Sequence, residues 1–440
     1  MGWLAAANPG CKRHEPAPAP SPMPSLATSA QLEPTVCRRR SDFALTLDAE
    51  PAKAKAEVEP PDDGEDEDDD ALLPFGVDIG AAIPTPFGFA VTGIRGAGQA
   101  FVALLSERAS RRIDLGELHG DPETPGIAAV GERLLVALRT TDAAGFTVKL
   151  GRIGGPESSA PEWGYELTKL GKVVTGLELA TDGKRGVLVY QGEVKGDARL
   201  MLGTFSVDEL NEPFATKPLE AKDVEMPRLV PRPGGYWLSW VRTLPEVKPP
   251  AVSAGGGRSA QDPEERELLD VGLRVVEVAK LDDAGGVVGA ALRVSEPRRQ
   301  VLLYDVAPVA GGLLVAARSD SAAPGAEGGA IVLSEVRPDG SVHDFRLDDD
   351  DIGAGAPTLL VDTSASLQAP WLAVNAPSDV TRIGLIDKER TNLRADPLLG
   401  RAAVLAVGAG HFLLQRARGR AIALEALDCS WPSASAVENK

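Results

Sequence analysis

Seven recurrences of a short apolar strand, a tight turn and a second apolar strand predict an all-β fold when read with two further signs. A more polar fourth strand closes six of the seven units, and one isolated strand-like run, 42–48 (DFALTLD), lies at the opposite end of the chain. Together they predict a seven-bladed β-propeller closed by an N-terminal strand that completes the C-terminal blade, with six or eight blades as the neighbouring solutions. A blade of three strands would leave an open edge, which proteins normally cover. The orphan strand supplies the cover.

The strand pairs are AAIPTPFGFAVTGIR (81–95), GIAAVGERLLVALR (126–139), GLELATDGKRGVLVY (176–190), PRLVPRPGGYWLSWVR (227–242), YDVAPVAGGLLVAAR (304–318), PTLLVDTSASLQAPWLAV (357–374) and AAVLAVGAGHFLLQR (402–416). Their turn positions, Gly88, Gly131, Gly183, Gly234, Gly311, Ala365 and Gly408, are spaced 43 to 54 residues apart except for one step of 77. That step holds the insertion 244–268, without which the common period returns. Third strands are expected at 100–105, 146–150, 200–205, 273–278, 330–336, 382–386 and 420–427. Fourth strands are expected at 112–118, 163–168, 214–219, 288–294, 341–347 and 389–398. Two stacked sandwiches would also alternate, but their natural linker, 244–268, interrupts a repeat. The GH…WD signature of WD40 repeats is absent.

The remaining segments sort by composition. Residues 1–11 form a short apolar start ending in Cys11, 12–36 a Pro/Ala-rich tether, and 37–48 the closing strand. The stretch 49–72 is an acidic linker, 73–431 the propeller and 432–440 a loose tail. The chain has 440 residues and a formal charge of −18, much of it from the run 62–70 (DDGEDEDDD). Nucleic acid is excluded as a partner, since phosphate binding needs a basic stripe. Arg38, Arg39 and Arg40, or Lys12 and Arg13, are too few. No stretch is long and apolar enough to span a bilayer.

The start, Trp3-Leu4-Ala5-Ala6-Ala7 followed by Asn8-Pro9-Gly10-Cys11 and a Pro-rich segment, resembles the end of a bacterial lipoprotein signal. Asn8 and Pro9 and the lack of a basic leader depart from that pattern, and a translation start further upstream would explain the second departure. With the repeats, the chain resembles bacterial exported lipoproteins carrying a β-propeller domain, at the level of architecture and without a family motif. The resemblance implies a lipid anchor on Cys11, an envelope location on the periplasmic side or the cell surface, and membrane contact through that anchor alone. Of the three cysteines, Cys37 and Cys429 then remain as a pair flanking the two strands that close the ring. A disulfide between them is expected, and would constrain the unfolded chain by about 4 kcal/mol or more in the chain-entropy model.

Chemical motifs are sparse. GxSxG, HExxH, CxxC and GxxxxGK[ST] are all missing, and the histidines, His14, His119, His343 and His411, have no metal-ligand spacing. His411 is placed at the start of an inner strand. The run Asp348, Asp349, Asp350 and Asp351 is a weak Ca²⁺ candidate, since it lacks the DxDxDG arrangement; solvation is the plainer reading. Tyr236, Trp237 and Trp240 alternate, so Trp237 should face one neighbouring blade and Tyr236, Leu238 and Trp240 the other. A carbohydrate-stacking platform there is the rival reading. The predicted inner strands carry few acids: Glu132, Glu178, Asp182, Asp305 and Asp362.

The expected function is a monomeric, non-enzymatic binding or scaffolding module at the bacterial envelope, without cofactor, for a protein or glycan ligand. The alternatives are a propeller glycosidase or lyase using carboxylates at the central channel, and a cytosolic WD40-like adaptor with reduced, distant cysteines.

Overall fold

Short runs of alternating apolar residues, broken by glycine turns, fold as antiparallel meanders. The computed structural model describes residues 36–48 and 76–430, apart from 97, 108–109, 120–121, 143–144, 245–271, 296–299, 310–311, 321–328, 348–354, 363–369, 376–379, 387–389, 392–393, 396–398, 409 and 419–420. These residues form seven antiparallel sheets around an axis, a seven-bladed β-propeller.

The closing strand, β1 (Val36–Asp48), comes first. Blade 1 runs β2 (Val77–Thr85), β3 (Gly88–Arg95), β4 (Gln99–Ser106), β5 (Ser110–Glu117), and blade 2 β6 (Gly126–Val130), β7 (Arg133–Asp142), β8 (Gly145–Ile153), β9 (Glu162–Leu167). Blade 3 is β10 (Val174–Thr181), β11 (Arg185–Val194), β12 (Asp197–Ser206), β13 (Thr216–Pro218), and blade 4 β14 (Val224–Arg232), β15 (Gly235–Leu244), β16 (Leu273–Leu281), β17 (Val287–Arg293). Blade 5 holds β18 (Gln300–Val309), β19 (Gly312–Asp320), β20 (Gly329–Val336) and β21 (Val342–Leu347). Blade 6 has β22 (Ala356–Leu360), β23 (Trp371–Asn375), β24 (Arg382–Leu385) and β26 (Arg394–Ala395), while β25 (Arg390–Thr391), between the last two in sequence, joins blade 5. Blade 7 is β27 (Ala403–Gly408), β28 (His411–Arg418), β29 (Ala421–Ser430), with β1 as its fourth strand.

Closure follows the expected pairing and is longer than the sequence suggested. β1 pairs antiparallel with β29 from Val36↔Ser430 to Asp48↔Ala421, with an irregularity between Arg40 and Ala44. Leu47 is buried beside Leu424, Phe89, Phe101 and Leu413, so the N-terminal strand contributes to the apolar joint between blades 7 and 1. Seven such apolar clusters occupy the seven blade interfaces. Each is built from the large residues of facing sheets, which is how a propeller distributes its core.

The aromatic alternation in blade 4 is resolved as packing. Tyr236, Leu238 and Trp240 join the cluster shared with blade 3, while Trp237 joins the one shared with blade 5. All three rings are buried, so they offer no stacking platform.

One expectation needs correction. The described residues of 389–398 do not share one partner strand. β26 pairs with β24 over two residues, whereas β25 pairs in parallel with β21 and becomes a fifth strand of blade 5. Arg382-Ile-Gly-Leu is a short third strand that offers little ladder to extend. His411 opens the second strand of its blade, β28, and its Nδ1 lies 3.8 Å from an Asp428 carboxylate oxygen.

A channel lined by the inner strands

Four inner strands, β2, β10, β14 and β18, begin two to four residues earlier than hydrophobic alternation alone indicates, and their leading halves are irregular. Register shifts interrupt β2 between Ile79 and Ala82, β10 between Thr175 and Glu178, β14 between Glu225 and Arg228, β18 between Val301 and Leu303, and β27 between Val404 and Ala406. Such bulges re-aim side chains and backbone amides. At two of them the backbone is left-handed, with φ of 64° at Gly176 and 52° at Met226. A Cβ at Gly176 would also meet Pro227 Cδ at 2.6 Å. Pro227 itself sits in the β14 bulge, where a missing N–H is tolerated.

These leading halves line a cavity of about 620 Å³ on the ring axis. All seven blades reach it, blade 2 through Glu123, Thr124 and Pro125 just before β6. In an antiparallel meander the first strand starts on the side where the second ends and the third begins. The cavity therefore lies towards that side. Segments 49–75, 245–271, 321–328 and 348–354 lie outside the described residues, and the described strands they join end on this same side.

The charged groups of the channel are Glu123, Glu178, Arg228 and Asp305. Glu123 accepts hydrogen bonds from the backbone N–H groups of Gly176 and, at 3.3 Å, Leu177, and pairs with Arg139 Nη1 at 3.2 Å. Arg139, buried behind it, also donates to the Val174 carbonyl. One carboxylate thus ties blade 2 to blade 3. Glu178 accepts from Arg228 Nη1 at 2.8 Å, which ties blade 3 to blade 4. Asp305 accepts from the Val306 N–H at 2.9 Å and from the Leu359 N–H at 2.7 Å, which ties blade 5 to blade 6. The Tyr304 hydroxyl donates to the Met226 carbonyl at 2.6 Å and accepts from Ser239 Oγ at 3.3 Å, joining blades 4 and 5.

Burial raises both Glu178 and Asp305 above the ordinary carboxylate range; Arg228 opposes this at each, and for Asp305 the Leu359 N–H opposes it more strongly. Arg228 is held charged, chiefly by Glu178. Burial pushes the Tyr236 phenol up to about 12.

Of the five acids anticipated on inner strands, Glu178 and Asp305 line the cavity. Asp362 instead accepts from the Gly410 N–H at 3.1 Å, a joint between blades 6 and 7. Asp182 caps the turn after β10 through the Lys184 and Arg185 N–H groups, and Glu132 lies in the turn after β6. Glu123 and Arg228 were not singled out by sequence; Gly176, two residues before Glu178, and Met226-Pro227, directly before Arg228, were the available signal.

Asp348, Asp349, Asp350, Asp351 and Cys11 lie outside the described residues. Among the described residues no group of three or more His, Cys, Asp or Glu side chains is placed to hold a metal ion. For Cys37 and Cys429 the backbone register is described, and it sets the two directly opposite each other.

No protein-family model matches the chain, and no curated protein matches it in sequence. Among solved structures, the polysaccharide lyase Uly1 aligns over 91% of this chain and 100% of its own, with a TM-score of 0.51 at 11% identity. Hydrazine synthase of Kuenenia stuttgartiensis aligns over 74% and 81%, with a TM-score of 0.45 at 16% identity. The β-propeller domain of the Trilobed protease from Pyrococcus furiosus aligns over 77% and 91%, with a TM-score of 0.40 at 10% identity. At 11% identity, the likeness to Uly1 bears on the fold alone. Activity does not travel with that fold.

Proposed function

We propose that the protein is a non-catalytic binding module that receives a protein or glycan ligand at the mouth of its central channel. The observation that carries this reading is how the channel carboxylates are used. Glu123 and Asp305 accept backbone N–H groups of the next blade, and Glu178 holds Arg228, so these acids serve as joints rather than as an open acid–base pair. The direct test is incubation of the full chain with a panel of neutral and acidic oligosaccharides, following binding by calorimetry and products by mass spectrometry. Binding without any new product is expected; shortened or unsaturated products would overturn the reading.

Export and anchoring through Cys11 belong to the same proposal. Its support is the register that sets Cys37 opposite Cys429, since a cross-strand pair of this kind is oxidised outside the cytosol and reduced within it. Non-reducing peptide mapping should return one peptide linking the two positions. Free thiols at both would favour the cytosolic alternative.

A second reading, a glycosidase or lyase, is favoured by one observation: Glu178 and Asp305 share a cavity and are both pushed towards neutrality by burial. In that case Glu178→Gln would abolish turnover in the product assay.

A further inference from the structure

The charged groups in the channel are unequally occupied. Asp305 already accepts two backbone N–H groups, and Glu123 is held by two backbone N–H groups and Arg139. Arg228 differs. Both of its hydrogen bonds, to Glu178 and to the Pro227 carbonyl at 3.2 Å, leave from Nη1. No other described group meets its Nη2 or Nε, and the side chain is 37% exposed. Its second edge is therefore presented to a cavity of roughly the volume that small-ligand sites occupy.

From this geometry we infer that Arg228 anchors a subsite for a hydroxylated monocarboxylate, of the sugar-acid type, in the channel. The inference rests on the binding-module reading and names its ligand chemistry. A guanidinium edge matches the two oxygens of a carboxylate in a bidentate pair. A phosphate dianion fits less well. It would bring two charges to a single arginine and face Glu178, Asp305 and Glu123 around the same cavity. The remaining wall suits a hydroxylated body: Glu178 accepts, Thr124 and Thr358 offer hydroxyls, and Leu303 presents an apolar surface for a ring face.

The test is calorimetry on the full chain with D-galacturonate, tetragalacturonate, the methyl ester of galacturonate and galactose. The acids should bind and the two neutral sugars should not; a preference for the tetramer over the monomer would mark a glycan end as the source of the carboxylate. Arg228→Gln should weaken acid binding by about 10-fold or more. Because that change strands Glu178, the double variant Arg228→Gln/Glu178→Gln removes both members of the ion pair at similar volume and leaves Glu123 and Asp305 in place, with folding verified by thermal unfolding. It should lose acid binding as well. Equal binding of acid and ester, unchanged acid affinity in the folded double variant, or no heat with any probe at millimolar concentration overturns the inference. Neutral sugars binding equally to wild type and double variant would uphold the binding module while removing Arg228 as its anchor. Unsaturated products from tetragalacturonate would remove the non-catalytic reading while leaving the anchor in place.

Discussion

At the rim of blade 7, three arginines surround one buried carboxylate; in the channel, three carboxylates share a cavity with one arginine. The rim group is Glu425, only 5% exposed, held by Arg416, by Arg418 at 3.1 Å and, more loosely, by Arg39 of the closing strand at 3.9 Å. Arg40 continues the pattern with Glu107 at 3.3 Å and Asp428 at 3.9 Å. There the cations outnumber the acid and all converge on strands whose pairing closes the ring. In the channel the acids are occupied by backbone amides and Arg139, and the arginine keeps an open edge. The difference teaches that charge in this molecule is structural where a carboxylate is enclosed and available where a guanidinium is half-enclosed.

The contrast can be broken most severely at the rim. Deleting residues 1–48 removes β1, bares the β29 edge and takes Leu47 out of the blade 7–blade 1 joint. Loss of a cooperative thermal transition and a shift to aggregates on size exclusion are expected. A truncated chain that unfolds with wild-type cooperativity would mean the ring does not depend on its N-terminal strand. Next, Leu47→Ala should cost about 3 kcal/mol in urea unfolding, the ordinary cost of emptying a buried leucine site. Glu425→Gln should follow at about 2 kcal/mol, since Arg416 and Arg418 lose the charge they enclose. An unchanged midpoint would show that the rim cluster is ornamental.

The channel should respond more weakly and with a distinctive pH dependence. Glu178 has a raised pKa in the folded state, so between the ordinary carboxylate value and that raised value the folded chain binds more protons than the unfolded one. Its contribution to stability therefore falls as pH rises through that window. Glu178→Gln, which does not titrate, should be destabilised by about 1 kcal/mol at acid pH, and the gap to wild type should narrow towards neutral pH. A gap that widens with pH would mean that the Arg228 pair, rather than burial, governs the group. Of similar size, Gly176→Ala should cost about 1 kcal/mol or somewhat more, because its φ of 64° and the approach of Pro227 both disfavour a side chain.

Much of the architecture was legible because it rests on period and count. Seven turns, six of them Gly-centred, at a near-constant interval apart from one insertion, and a missing fourth strand matched by DFALTLD, require only that apolar faces be buried and edges be covered. The alternation of Tyr236, Trp237, Leu238 and Trp240 likewise placed Trp237 on the face opposite the other three, and the structure packs the two faces against different blades. What escaped was irregular. The leading halves of β10 and β14 contain Gly176, Met226 and Pro227, which break alternation, so the strands read as starting at Gly176 and Pro227 rather than at Val174 and Val224, without a bulge. Blade 6 misled for the opposite reason: residues 389–398 look like one continuous polar strand, but β24 is only four residues long and the chain divides between two blades. Arg228 was invisible as a site because its importance comes from which of its nitrogens are occupied, a matter of distances and not of spacing.

Hydrogen exchange over residues 36–48 in the folded full-length chain tests ring closure most directly. The amides of β1 that pair with β29 should exchange as slowly as those of β29 itself, and only through global unfolding. Exchange across 44–48 at the rate of an unstructured peptide, with β29 still protected, would contradict the closed ring.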